Sequence, residues 1–190
     1  MEHIKADILQ AGKELFSEKG FKDTSVSDIT KAVGIGVGSL YKYYSSKEQL
    51  FAEIFFAEGD SLKRSIFDKL DLDDEPVKVS KQIVQEIFTG VRSNPILMEW
   101  YNLDTFIKIN KKLDLDETGK EHHDFSYRFF IDLIEMWKDK GKIRKDFDSN
   151  LILAFFNSLQ YIDLHREEIG EQYFPEFFDY MVEFIVRGLE

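Results

Sequence analysis

The sequence predicts an all-α protein of about nine helices: an N-terminal three-helix, helix-turn-helix head followed by a helical-bundle domain. Three observations predict it. Apolar residues recur at helical spacing along the chain, and strand-like alternation is sustained nowhere. Caps, glycines and prolines divide the chain into segments of ordinary helix length. Residues 24–47 place two short helix signals around a glycine-marked turn, the pattern of a helix-turn-helix.

The elements follow in order. Ile4, Ile8, Ala11 and Leu15 repeat at helical spacing with Phe16 beside them, and Lys19-Gly20 ends the run. A second helix starts at Ser25, whose hydroxyl can cap the first turn while Asp28 stands where a capping-box partner belongs. Its apolar face is Val26, Ile29 and Val33, and Gly34 follows where a left-handed cap costs least. Gly36 precedes a second short segment running through Ser39, Leu40, Tyr41, Lys42, Tyr43 and Tyr44. Phe21, Val26, Ile29, Leu40 and Tyr44 are the expected core of the head. Ser46 with Gln49 is a second capping-box candidate, opening a long helix that carries Leu50, Ile54, Leu62 and Ile66. Residues 71–76, 94–95, 114–119, Gly141 and 168–173 read as loops.

The segment Gly20-Phe21, Thr24-Ser25-Val26, Asp28-Ile29, Ala32, Gly34-Ile35, Gly38-Ser39-Leu40-Tyr41, Tyr43-Tyr44 and Ser46 to Leu50 resembles the TetR family of bacterial transcriptional regulators. The resemblance covers the first quarter of the chain. It implies a DNA-binding domain over 1–47 and an effector-binding and dimerisation domain over 48–190. Ser39 and Lys42 lie on the second helix of the motif between inward-pointing Leu40 and Tyr44, so they lead as base or phosphate contacts. The resemblance adds Gly38 and Tyr41 to the same surface and makes Tyr43 a phosphate-contacting aromatic. Ser25 and Ser27 join the DNA-binding set, although capping alone explains Ser25. Lys47, at the first turn of the long helix, would add its charge to free amides aimed at the DNA phosphate backbone. Gly36-Val37 departs from the family, which usually carries a polar cap and a polar or basic residue there. Two glycines in three residues weaken so short a helix, and the reading is that it is loosely ordered without DNA.

Charge separates the two domains. The net charge is −11, which would repel phosphate, yet residues 1–50 hold seven lysines against seven acids and the whole excess lies beyond them. With no cysteine, disulfides and thiolate metal sites are excluded. No apolar run reaches the length of a bilayer span, so a cytoplasmic protein without membrane contact is expected. No enzyme is expected either: no glutamate stands three residues ahead of a histidine as di-iron bundles require, and no phosphate-cradling loop or nucleophile elbow occurs. No cofactor is implied.

In the larger domain Trp100, Tyr101, Phe106, Phe125, Phe129 and Tyr161, with Arg128 and His165, form the candidate effector pocket, and Glu99 is a further polar group that could face it. Acid excess with aromatics suits a lipophilic cation, whereas Arg128 could anchor an acidic ligand. Residues 149–167 and 175–189 carry apolar stripes wider than one contact face needs. Ile152, Phe155, Phe156 and Leu159 on the first, with Phe177, Phe178, Met181 and Ile185 on the second, are the candidate homodimer interface. The expected function is a repressor released from a palindromic double-stranded DNA operator by a small, largely apolar effector. The alternative is a helical small-molecule-binding protein whose DNA-reading head is degenerate.

Overall fold

The computed structural model describes residues 2–102, 105 and 117–190, with the side chains of Glu2, Trp100 and residues 117–126 outside that description. The regular secondary structure of the described residues is all helical: α1 (Glu2–Asp23), α2 (Val26–Val33), α3 (Val37–Leu40), α4 (Lys47–Phe67), α5 (Pro76–Ser93), α6 (Pro95–Met98), a 3-10 turn (Glu99–Tyr101), α7 (Glu117–Asp139), α8 (Ser149–Leu164), α9 (Arg166–Ile169), a second 3-10 turn (Glu171–Tyr173) and α10 (Glu176–Arg187). Among the described residues that makes ten α-helical segments, against about nine expected for the whole chain. The extra pieces are short turns inside stretches that read as loops. Asn94 caps α6 by accepting from the amides of Ile96 and Leu97, with Pro95 at its start. Residues 166–169 and 171–173 fold on either side of Gly170. Residues 117–119, also read as loop, begin α7.

Contacts divide the chain into two compact units, residues 1–62 with 89–123, and residues 63–88 with 124–190. The first has a core of Ile8, Phe16, Phe21, Ile29, Leu40, Tyr44, Leu50, Phe51 and Ile54, with Val26, Val33 and Ile35 packed against it. Phe51 is its hub, meeting Phe16 edge-on at 5.0 Å and Phe21 at 4.9 Å. Such aromatic pairs add about 0.5–1.5 kcal/mol each beyond the area they bury. Ile96 joins the same cluster from α6.

In the second unit Ile83, Leu133, Ile134, Trp137 and Ile152 form one cluster, and Phe88, Leu159, Phe178, Val182 and Val186 another. Phe67 stacks on Phe129 at 3.5 Å, and Phe88 on Phe178 at 4.4 Å. Among the described residues no helix is long and apolar enough to cross a membrane.

Candidate nucleic-acid interface

Local chemistry shapes α2 and its flanking turns. Gly20 takes φ 78° and interrupts α1, a conformation open to glycine at little cost, so the regular helix stops where Lys19-Gly20 was expected to stop it. Ser25 accepts from the Asp28 amide at 3.1 Å and the Asp28 carboxylate accepts from the Ser25 amide at 2.9 Å, the reciprocal capping box. The hydrogen bonds from Ser25 hold the Asp28 carboxyl below the ordinary carboxylate range. At the other end Gly34, at φ 76°, turns the chain left-handed and donates to the Lys31 and Thr30 carbonyls.

The second helix of the motif is shorter than the sequence suggests. Only Val37–Leu40 is helical, and Tyr41, Lys42 and Tyr43 continue as a turn whose amides donate back to Ser39 and Leu40. Gly36 at the N-cap supplies no side-chain acceptor, so the helix starts without the help that Ser25 gives α2. Leu40 and Tyr44 are buried, as expected of the inward face. Burial, and after it the charge of Glu53, pushes the Tyr44 hydroxyl far above its ordinary value. Outward stand Ser25, Ser27, Val37, Gly38, Tyr41 and Lys42, all exposed, with Ser39 half-buried. Tyr43 is half-buried and packs against the core of the head.

Lys47 corrects an expectation. Its ammonium donates to the carbonyls of Phe21 and Thr24, both at 2.7 Å, and lies 4.3 Å from the Phe21 ring centroid. It satisfies the carbonyls of the corner between α1 and α2, and the phosphate role assigned to it gives way to this one. Glu99 supports the same corner from the other side, its Oε1 accepting from the Phe21 amide at 2.9 Å. A Cβ on Gly20 would sit 3.2 Å from that oxygen, so the glycine also makes room for the contact. Thr24 completes the corner by donating to the carbonyls of Gly20, at 2.8 Å, and Leu15. Sequence reading missed Glu99 as a part of the head because 78 residues separate it from Phe21. Ser46 caps α4, but Gln49 reaches back to the Ser45 amide instead of that of Ser46.

The expected effector residues are described only in part. Phe106 and the side chains of Trp100 and Phe125 lie outside the described residues, and Tyr101 is half-buried. Phe129 is packed face to face on Phe67. Arg128, Tyr161 and His165 are exposed, Tyr161 by 56%. An open cleft of about 470 Å³ lies instead beside Tyr127, Ile131, Lys138, Phe147, Ser149 and Asn150. Lys138, Ser149 and Glu135 already hydrogen-bond one another there, so its polar groups are mutually satisfied and it does not match a largely apolar ligand. Among the described residues no three acidic or histidine side chains cluster as metal ligands.

The interface residues also divide. Ile152, Leu159 and Phe178 are buried within the protomer, which removes them from the expected interface. Phe156, Phe177, Met181 and Ile185 are half-buried. The reason is geometric: neighbouring positions on a helix diverge by about 100°, so the inner half of each wide stripe packs inward and the outer half is left. That outer half is Leu151 and Phe155 on α8, and Tyr180 and Phe184 on α10.

A capped helix, a glycine turn and a short second helix, all on one buried core, define a helix-turn-helix DNA-binding protein. Comparison with known proteins gives the family. Residues 8–54 match the profile of bacterial regulatory proteins, tetR family. The uncharacterized HTH-type transcriptional regulator YfiR of Bacillus subtilis is 31% identical over 155 residues, covering 80% of this chain and 74% of YfiR. The chain belongs to the tetR family and is a DNA-binding transcriptional regulator, not an enzyme. The HTH-type transcriptional repressor KstR2 of Mycolicibacterium smegmatis is 25% identical over 179 residues, 88% of this chain and 85% of that one. The crystal structure of the transcriptional regulator FadR from Bacillus subtilis, in complex with stearoyl-CoA, shares the fold with a TM-score of 0.66 at 16% identity, covering 98% of this chain and 100% of FadR.

Proposed function

We propose that the protein is a homodimeric repressor, held on a palindromic operator in the cytoplasm and released by a largely apolar small-molecule effector. The observation that carries the reading is the pairing of an outward-facing α2–α3 unit with an unpartnered apolar row on α8 and α10. A two-fold dimer built on that row would bury its aromatics and supply two reading heads, as two half-sites require. The name of KstR2 supports repression, and stearoyl-CoA in FadR supports an effector with a large apolar part. Exposed Lys42 with the neutral charge of residues 1–50 would let DNA approach this end of an otherwise acidic chain. The effector would act by shifting α4, whose first residues belong to the first unit and whose last belong to the second.

Selection of binding sites from random duplex DNA, at low and physiological salt, tests the reading. A palindrome is expected, its affinity falling steeply with salt and lost in Lys42→Ala. Coupling is reciprocal, so an effector found by screening must bind the free protein more tightly than the operator complex, by the same factor by which it weakens DNA. Equal effector affinity in the two states would remove the allosteric part.

A further inference from the structure

We propose that Val37 is a specificity-determining residue that reads the 5-methyl group of a thymine in each half-site. This rests on the DNA-binding reading and deepens it. In a helix-turn-helix the N-terminal residues of the second helix meet the base edges. Here those residues are Val37, Gly38 and Ser39, preceded by Gly36. Two of these four positions carry no side chain. A Cβ at Gly36 or Gly38 would meet nothing within 4 Å, so the packing of the protein does not call for either glycine.

Val37 between them is 45% exposed. The core of the head takes up Val26, Ile29 and Val33 from α2, Ile35 from the turn and Leu40 from α3, and leaves Val37 out. An isopropyl group offers neither donor nor acceptor, so it cannot answer the hydrogen-bonding edges of the bases; against them it would only strip water from polar atoms. One group in the major groove of unmodified DNA is apolar, the thymine methyl. The flanking glycines let the backbone come close, which a side chain as short as valine needs. Its β-branch restricts χ1, so little rotamer freedom is lost on contact.

The test uses the full-length protein and the site it selects from random duplexes. Each thymine is replaced singly by uracil, which keeps the pairing and removes the methyl. The expected result is one thymine per half-site whose replacement weakens wild-type binding about fourfold, the worth of one buried methyl-sized group, and roughly fifteenfold when both half-sites are changed. Val37→Ser should bind the thymine and uracil duplexes equally while keeping the thermal midpoint and the sequence-independent affinity of the wild type. A selected site bound with the same affinity whatever thymine is replaced overturns the proposal and leaves DNA reading intact. A thymine preference that survives in Val37→Ser overturns the assignment to Val37. If no site is enriched, the DNA-binding reading and this inference fall together.

Discussion

The head and the C-terminal helices both leave apolar side chains exposed, but in different patterns. In the head Val37 stands between two glycines that carry no side chain. On α8 and α10 the exposure is a row, with Leu151 and Phe155 on one helix and Tyr180 and Phe184 on the other, each pair four residues apart. Tyr180 and Phe184 stack on each other with centroids 6.3 Å apart. A repeat at helical spacing covers an area that only another surface of similar length can bury. On the head the exposed group is smaller, Val37 with Tyr41 one turn further on, and the valine fits something as small as a methyl group. On the proposed reading, exposed apolar surface has two meanings in one chain, assembly on α8 and α10 and recognition at Val37.

The largest effect expected from this contrast is in assembly. Phe184→Glu places a carboxylate at a residue that is 68% exposed in the protomer, so the fold of the protomer should be unchanged. In a dimer the same charge would be buried without a partner, at a cost of several kcal/mol. Sedimentation should show a monomer at micromolar concentration, with operator affinity at least a hundredfold lower and helical content unaltered. A stable dimer with wild-type affinity would remove the α8–α10 row from the interface.

Next comes the core that supports the reading helix. Leu40 is fully buried, and Leu40→Ala should destabilise the head by about 2–5 kcal/mol, seen as a lower thermal midpoint with the dimer intact. The corner between α1 and α2 should come third. Lys47→Ala removes a cation from two backbone carbonyls, and Glu99→Ala removes the acceptor of the Phe21 amide. Each should cost about 1.5–3 kcal/mol, as hydrogen bonds to charged groups do. Both should raise amide exchange at residues 20–25. If Lys47 worked only on phosphate, Lys47→Ala would leave the free protein's exchange untouched and lower DNA affinity alone.

The sequence was most legible where structure is local. The Ser25–Asp28 box, the Gly34 cap and the halt at Gly20 each depend on residues within one turn of one another, so spacing was enough to place them. It was least legible where partners are remote. Nothing near Glu99 points to Phe21, and nothing near Lys47 announces that its charge is turned toward two carbonyls of the same head. Wide apolar stripes are ambiguous for a related reason. Periodicity gives the width of the stripe on α8 and α10, but which half packs inward is decided by Phe88 on α5 and by the two helices themselves. The length of α3 was overestimated because Tyr41 to Tyr44 hold helix-like hydrogen bonds in a turn that is no longer helical.

The smallest expected effect lies in the capping box, and it carries a sign. Hydrogen bonds from the Ser25 side chain and backbone, in that order, lower the Asp28 carboxyl in the folded state. A depressed carboxylate stabilises the fold above its unfolded value, and that contribution is lost as pH falls through the folded one. Ser25→Ala removes the larger of the two causes. It should cost about 1 kcal/mol of stability at neutral pH and let the Asp28 titration, followed by carbon-detected NMR, move up toward the ordinary aspartate value. The stability of the head should then fall less steeply in acid than it does in the wild type. Phe184→Glu, whose site carries no such box, should leave the Asp28 titration where it was. An Asp28 titration equal in wild type and Ser25→Ala would mean that the Ser25 hydroxyl does not hold the carboxylate, and α2 would owe its start to the packing of Ile29 instead.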